Sequence, residues 1–166
     1  MLFAWLSLSG SLLAQNNSSL PNPHLTPGAI DPSVTPHNLQ TTVCVKGYTA
    51  TVRPDKRVTN QLKREQMRLY GYADANPQHY EEDHLIPLNI GGNPSDAHNL
   101  WPQPRYGAWS ADQKNDLEFV AYKLVCSGQL DLKEAQQRIA HNWIEAYQAW
   151  VPSHPHLLPK GRRGSD

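Results

Sequence analysis

The sequence is poor in the groups that staple or charge many small proteins. It holds two cysteines in 166 residues, Cys44 and Cys126. They form neither a CxxC pair nor a Cys/His zinc spacing, which excludes a zinc-ribbon or zinc-finger architecture. Asp, Glu, Lys and Arg make up 18% of the chain, below the usual ~25%. Fifteen basic residues offset fifteen acidic ones, for a formal net charge of zero. A histone-like polycation is excluded, although a local basic patch on a neutral protein still suffices to hold phosphates. No apolar run reaches the ~20 residues of a membrane-spanning helix. Heptad, collagen and solenoid periods are absent.

Proline, by contrast, is abundant at 14 residues, and its distribution divides the chain. Residues 1–14 (MLFAWLSLSGSLLA) are apolar and uncharged and have the length of a signal-peptide core, with cleavage after Ala14. The run lacks a basic residue ahead of it, and Leu12 stands where a small residue is usual. A membrane anchor or a buried N-terminal helix is the alternative. Residues 15–40 hold Pro21, Pro23, Pro27, Pro32 and Pro36 and few large apolar side chains. That composition predicts an extended linker. Residues 152–166 repeat it, add Lys160, Arg162 and Arg163, and predict a flexible basic tail. The folded domain is thereby placed at 41–151, a length that suits one core.

An exported chain folds in an oxidising compartment, periplasmic or extracellular, where two lone cysteines pair most simply as one disulfide. Two buried free thiols are the alternative.

Within the domain, Thr41–Val52 is β-branched and broken by Gly47, and predicts a strand or hairpin. Thr59–Tyr70 has helical spacing, with Gly71 placed to end it. Tyr80–Ile86 predicts a strand, Gly91-Gly92-Asn93-Pro94 a turn, and Asn99–Trp101 a short return strand stopped by Pro102. Ser110 and Gln113 form a capping box that opens a helix to Cys126, ended by Gly128. Asp131 and Glu134 cap a last helix. Its Leu132, Ala135, Ile139, Trp143, Tyr147 and Trp150 lie on one stripe, which is a core face.

Chemistry concentrates between residues 80 and 118. Strand, Asp83-His84, glycine turn, Asn99 and a capped helix carrying Asn115 follow one another, and a hairpin followed by a helix can gather them around one pocket. Phosphodiester cleavage needs a base for water and positive charge for the phosphorus oxygens. Imidazole is the side chain whose unperturbed pKa suits a base near neutral pH, which points to His84. Carboxylate and amide oxygens are hard ligands suited to Mg²⁺, which points to Asp83 and Asn115. Adjacent strand residues face opposite sides, so Asp83 and His84 share a site only where the strand ends or bends. For Asp83-His84 as an isolated pair, an exposed polar surface is the competing interpretation.

The stretch YEEDHLIPLNIGGNPSDAHNLWPQP resembles the His-Me finger of HNH endonucleases, particularly small exported bacterial HNH proteins. In these a DH pair, a PL…GG turn and an NLWP return strand occur together. The similarity extends to CVKGYTATVRP upstream and to KNDLEFVAYKLVCSGQL and AQQRIAHNW downstream, so it covers about Thr41 to Trp150. The resemblance implies an α+β fold with a ββα-metal core and flanking helices. It implies His84 as general base, Asp83 as metal ligand and Asn99 as the residue that positions the hairpin. The last letter of the motif is often His. Here the helix offers Asp112 and Asn115, and HNN-type variants in the superfamily favour Asn115. The zinc-binding cysteine pairs of many HNH domains are missing, and a Cys44–Cys126 disulfide stands in for that stapling.

The activity implied is an exported, monomeric, metal-dependent endonuclease using Mg²⁺ or Mn²⁺, acting on DNA rather than RNA. The alternative is a non-catalytic, disulfide-stapled binding or structural module that retains the finger. Arg53, Arg57, Lys63, Arg64 and Arg105 are candidate nucleic-acid contacts. A solvated helix face accounts for the cluster equally well, since Asp55 and Glu65 are interspersed. Trp101, Tyr106 and Trp109 are candidates for base stacking, with core packing as the alternative. Glu118 has the spacing to pair with Lys114 at i, i+4 on the surface, or to approach the site from α-helical positions behind it.

Overall fold

A computed structural model describes residues 19–159 and Gly161. The expected export signal at 1–14 and the basic residues Lys160, Arg162 and Arg163 lie outside the described residues.

The YEEDH and LWPQP segments form two strands, β1 (Tyr80–His84) and β2 (Leu100–Pro104). They pair antiparallel, with Glu82 opposite Pro102, Asp83 opposite Trp101 and His84 opposite Leu100. β2 therefore continues through Pro102 instead of stopping there. In a two-stranded sheet each strand keeps a free edge, and a proline is accommodated where its missing N–H would point outward.

Four helices complete the α+β architecture of the described residues: α1 (Tyr48–Val52), α2 (Lys56–Leu69), α3 (Ala111–Cys126) and α4 (Leu132–Trp150). The strand or hairpin expected at Thr41–Val52 is instead a 3-10 turn at Leu39–Thr41 followed by α1. Gly47 turns the chain there with φ of 89°, a conformation that suits glycine. β-branched propensity yields because the segment has no partner strand. α2 begins three residues earlier than its apolar pattern suggests, because Asp55 Oδ1 accepts the Arg57 N–H at 2.7 Å. In α3, Gln113 Oε1 accepts the Ser110 N–H at 3.1 Å, the expected capping interaction. α4 is interrupted at Asn142, where φ and ψ are −161° and 96°. The Asn142 Oδ1 accepts the Ile144 and Glu145 N–H groups at 3.1 and 3.3 Å and so recaps the second half.

α3 and α4 pack against each other. Leu117, Val120, Ala121 and Leu124 of α3 are buried with Leu132, Ala135, Ile139 and Trp143 of α4. The hairpin connection adds Leu85, Ile86 and Ile90. Trp101 is wholly buried, and Trp109 packs edge-on to Trp143 and Tyr147. Those two indoles are therefore core residues, while Tyr106 is exposed.

The stretch expected as a linker lies on this core. Val34 is buried, and Leu20 and Leu25 pack against the cluster. Thr26 is buried, donates to the Leu100 carbonyl at 3.1 Å and shares a hydrogen bond with the Tyr70 hydroxyl. The Trp143 indole N–H donates to the Ser19 carbonyl at 2.9 Å. Proline-rich composition did not prevent packing because most of the few large apolar side chains, Leu20, Leu25, Val34 and Leu39, meet the core. At the other end, Leu158 is buried, so part of the expected tail also belongs to the domain.

Cys44 and Cys126 form a disulfide with their Cα atoms 5.6 Å apart. It pins the loop before α1 to the end of α3. A disulfide fits an extracellular or periplasmic location. No helix of the described residues is long and apolar enough to cross a membrane.

Candidate active site

β1 ends at His84, which meets the condition for an adjacent Asp–His pair to serve one region. Asp83 turns to α3, where its Oδ2 accepts from Lys114 Nζ at 3.1 Å. His84 lines a cleft of about 190 Å³ shared with Arg53, Lys56, Lys63, Glu82 and Arg105.

His84 is 5% exposed. Its Nε2 lies 2.9 Å from the Pro94 carbonyl oxygen. A carbonyl only accepts, so Nε2 carries the proton and Nδ1 is the basic nitrogen. Burial lowers the His84 pKa below its ordinary 6.5, against the opposing pull of the Pro94 carbonyl and the Asp83 carboxylate. The imidazole is neutral at pH 7.

Asn99 is wholly buried beneath the hairpin connection. Its Oδ1 accepts the Ile86 N–H at 2.9 Å. Its Nδ2 donates to the Ile86 and Asn93 carbonyls, each at 3.0 Å. One amide thus closes the loop that runs from the end of β1 past Pro94, the residue that holds His84. Gly92 makes the closure fit: a Cβ there would stand 1.7 Å from the Ile86 carbonyl oxygen.

The helix face turned to Asp83 carries Lys114 and Glu118. The Lys114 ammonium is 1% exposed and donates to Asp83 Oδ2 at 3.1 Å, the His84 carbonyl at 3.0 Å and Glu118 Oε1 at 2.7 Å. Burial alone would lower the Lys114 pKa, but Asp83 and Glu118 reverse that and hold it above its usual value. Burial raises the Glu118 carboxyl to about 7, with Lys114 opposing. The i, i+4 pair visible in the sequence is therefore part of the interior. Its sequence signal was position: Lys114 continues the buried stripe of Leu117 and Ala121 by one turn.

Asn115 and Asp112 are exposed on α3, whereas Asp83 is buried. Of the candidate basic residues, Arg53, Lys63 and Arg105 meet at the cleft. Arg57 is exposed and paired with Asp55 at 3.2 Å, and Arg64 is exposed outside the cleft lining. Lys56 joins the lining, and Arg105 pairs with Glu81 at 2.9 Å. Lys63 donates to the Pro77 and Tyr80 carbonyls at 2.9 and 3.3 Å.

Glu82 is a cleft residue that sequence reasoning passed over. Both its carboxyl oxygens are buried without a hydrogen-bond partner. Burial pushes its pKa up to about 8, with Lys63 opposing. It stands two residues before His84 on β1, so the two share a side of the strand.

The HNH resemblance implies a divalent ion at Asp83. Among the described residues no three His, Cys, Asp or Glu side chains gather as a metal-binding group. The carboxylate oxygens nearest the α3 face already serve Lys114, and Asn115 is exposed. The donors present fit an ammonium, and in this arrangement they do not fit a divalent ion.

No family model, curated protein or solved structure matches the chain.

Proposed function

We propose that the protein is an exported nuclease that hydrolyses phosphodiester bonds, with β1, β2 and α3 as a ββα unit of the His-Me finger kind. The observation that carries this reading is a buried, neutral His84 lining a cleft with Arg53, Lys56, Lys63 and Arg105. The resemblance of the hairpin sequence to HNH enzymes favours DNA as the polymer.

In this reading His84 Nδ1 takes a proton from water as it attacks phosphorus. The charge that builds on the phosphoryl oxygens meets the cationic side chains of the cleft. The leaving oxygen needs a proton in return. Glu82 holds one at neutral pH, because its raised pKa keeps the carboxyl protonated. Two neighbours on one strand thus have pKa values driven in opposite directions, the pattern of an acid–base pair. Asn99 positions the connection that carries the His84 partner, and touches no substrate.

The test is cleavage of plasmid DNA and of a folded RNA by the purified protein and by His84→Gln. Glutamine retains a donor for the Pro94 carbonyl but has no basic nitrogen. The expected result is a loss of about 100-fold or more with an unchanged circular dichroism spectrum. Equal cleavage by the two proteins removes His84 from the mechanism.

A further inference from the structure

The three oxygens around Lys114 come from two different elements. Asp83 Oδ2 and the His84 carbonyl belong to β1, and Glu118 Oε1 to α3, at 3.1, 3.0 and 2.7 Å from the nitrogen. An ammonium has three protons, and each meets one oxygen. Two carboxylates and a carbonyl are also the hard donors that Mg²⁺, Mn²⁺ and Ca²⁺ select. The place is built for a cation, and a side chain of the protein fills it.

We propose that Asp83, Glu118 and the His84 carbonyl form a cation cage whose resident cation is Lys114, so that the protein takes no divalent ion there. Lys114 does for the fold what a metal would do. It joins the end of β1 to α3, offsets the buried Asp83 and the half-buried Glu118, and fixes the backbone at His84. Charge counting supports the substitution. Removing the ammonium leaves two acidic groups facing each other in the interior, an expensive state. A divalent ion is the cation whose charge would balance both. The cage stands on these contacts alone; its consequence for catalysis, that cleavage proceeds in a chelator, rests on the hydrolase reading above.

The experiment titrates Mn²⁺ into chelator-treated, dialysed protein, followed by the electron paramagnetic resonance of free Mn²⁺ and by thermal unfolding. Wild type is expected to take up no stoichiometric Mn²⁺ and to keep its melting temperature. Lys114→Ala is expected to melt lower by about 5 °C or more and to regain that loss with Mn²⁺. Adding Asp83→Asn to Lys114→Ala should abolish the recovery. Wild-type uptake of one Mn²⁺ that Asp83→Asn abolishes overturns the proposal, since the lysine then yields to metal. Lys114→Ala that gains no Mn²⁺ site, or stays unfolded with and without Mn²⁺, overturns it too. The wild-type titration is informative whether or not that variant folds.

Cleavage assays separate the two readings. Wild-type cleavage that persists in EDTA and falls in His84→Gln supports both. Cleavage that stops in EDTA yet needs His84 overturns the metal-free mechanism and leaves the hydrolase, and the Mn²⁺ titration then decides the cage. Absence of cleavage overturns the hydrolase, and the Mn²⁺ titration then decides the cage.

Discussion

Glu82 and His84 pull the acid and alkaline limits of stability inward from opposite sides. The Glu82 carboxyl rises from 4.5 to about 8 on folding. Between those values the folded chain holds a proton that the unfolded chain has released, so stability falls as pH rises through the window. His84 works the other way: its folded pKa lies below 6.5, the unfolded chain takes the proton first, and stability falls as pH drops beneath that value. Glu82→Gln should therefore flatten the alkaline limb, removing a slope on the order of 1 kcal/mol per pH unit. Urea midpoints across that window check it; a parallel pair of curves would mean that Glu82 ionises in the fold as it does in water. Asp83, His84 and Asn99 were legible as residues because the motif spells them in order. Lys114 and Glu118 were legible as a pair but not as an interior pair. Their burial depends on Asp83 arriving from a strand 31 residues away, and helical spacing cannot carry that information.

The hairpin connection is the element on which the site depends. Strands as short as β1 and β2 are marginal by themselves, and their register is set by the loop between them. Asn99 satisfies three backbone groups of that loop. Asn99→Ala should cost about 3 kcal/mol, since it strands buried donors and acceptors. Gly92→Ala should cost a similar amount, because its Cβ meets backbone and no side chain can step aside. Chemical denaturation of both variants tests the pair. Either one matching wild type would show that the loop relaxes independently of the strands. At this scale, sequence patterns located both strands, α2, α3 and α4, since capping residues and periodicity are local signals. They missed α1 and the continuation of β2 through Pro102. There the outcome turned on the absence of a neighbouring strand and on which edge of the sheet was free.

For the molecule as a whole, the disulfide closes a span of 82 residues. Its chain-entropy contribution is about 4.5 kcal/mol. A Cys44→Ser, Cys126→Ser double variant should lose about that much, read as a lower denaturation midpoint under oxidising conditions. An unchanged midpoint would mean that the packing of α3 already restrains the same loop. The pairing could be read from cysteine count, but the placement of residues 19–40 could not. Composition reports what a segment lacks, and the partners of Leu20, Thr26 and Val34 lie far along the chain.

The bond between Ser19 and the Trp143 indole spans 124 positions, and it sets an order of events during synthesis. A ribosome delivers the strap of residues 19–40 first and α4 nearly last. Until α4 emerges, the strap lacks the part of its seat that Trp143 supplies, and α3 lacks its partner helix. Contacts this distant make folding a late, collective step, so the growing polypeptide stays pliable and threadable for most of its elongation.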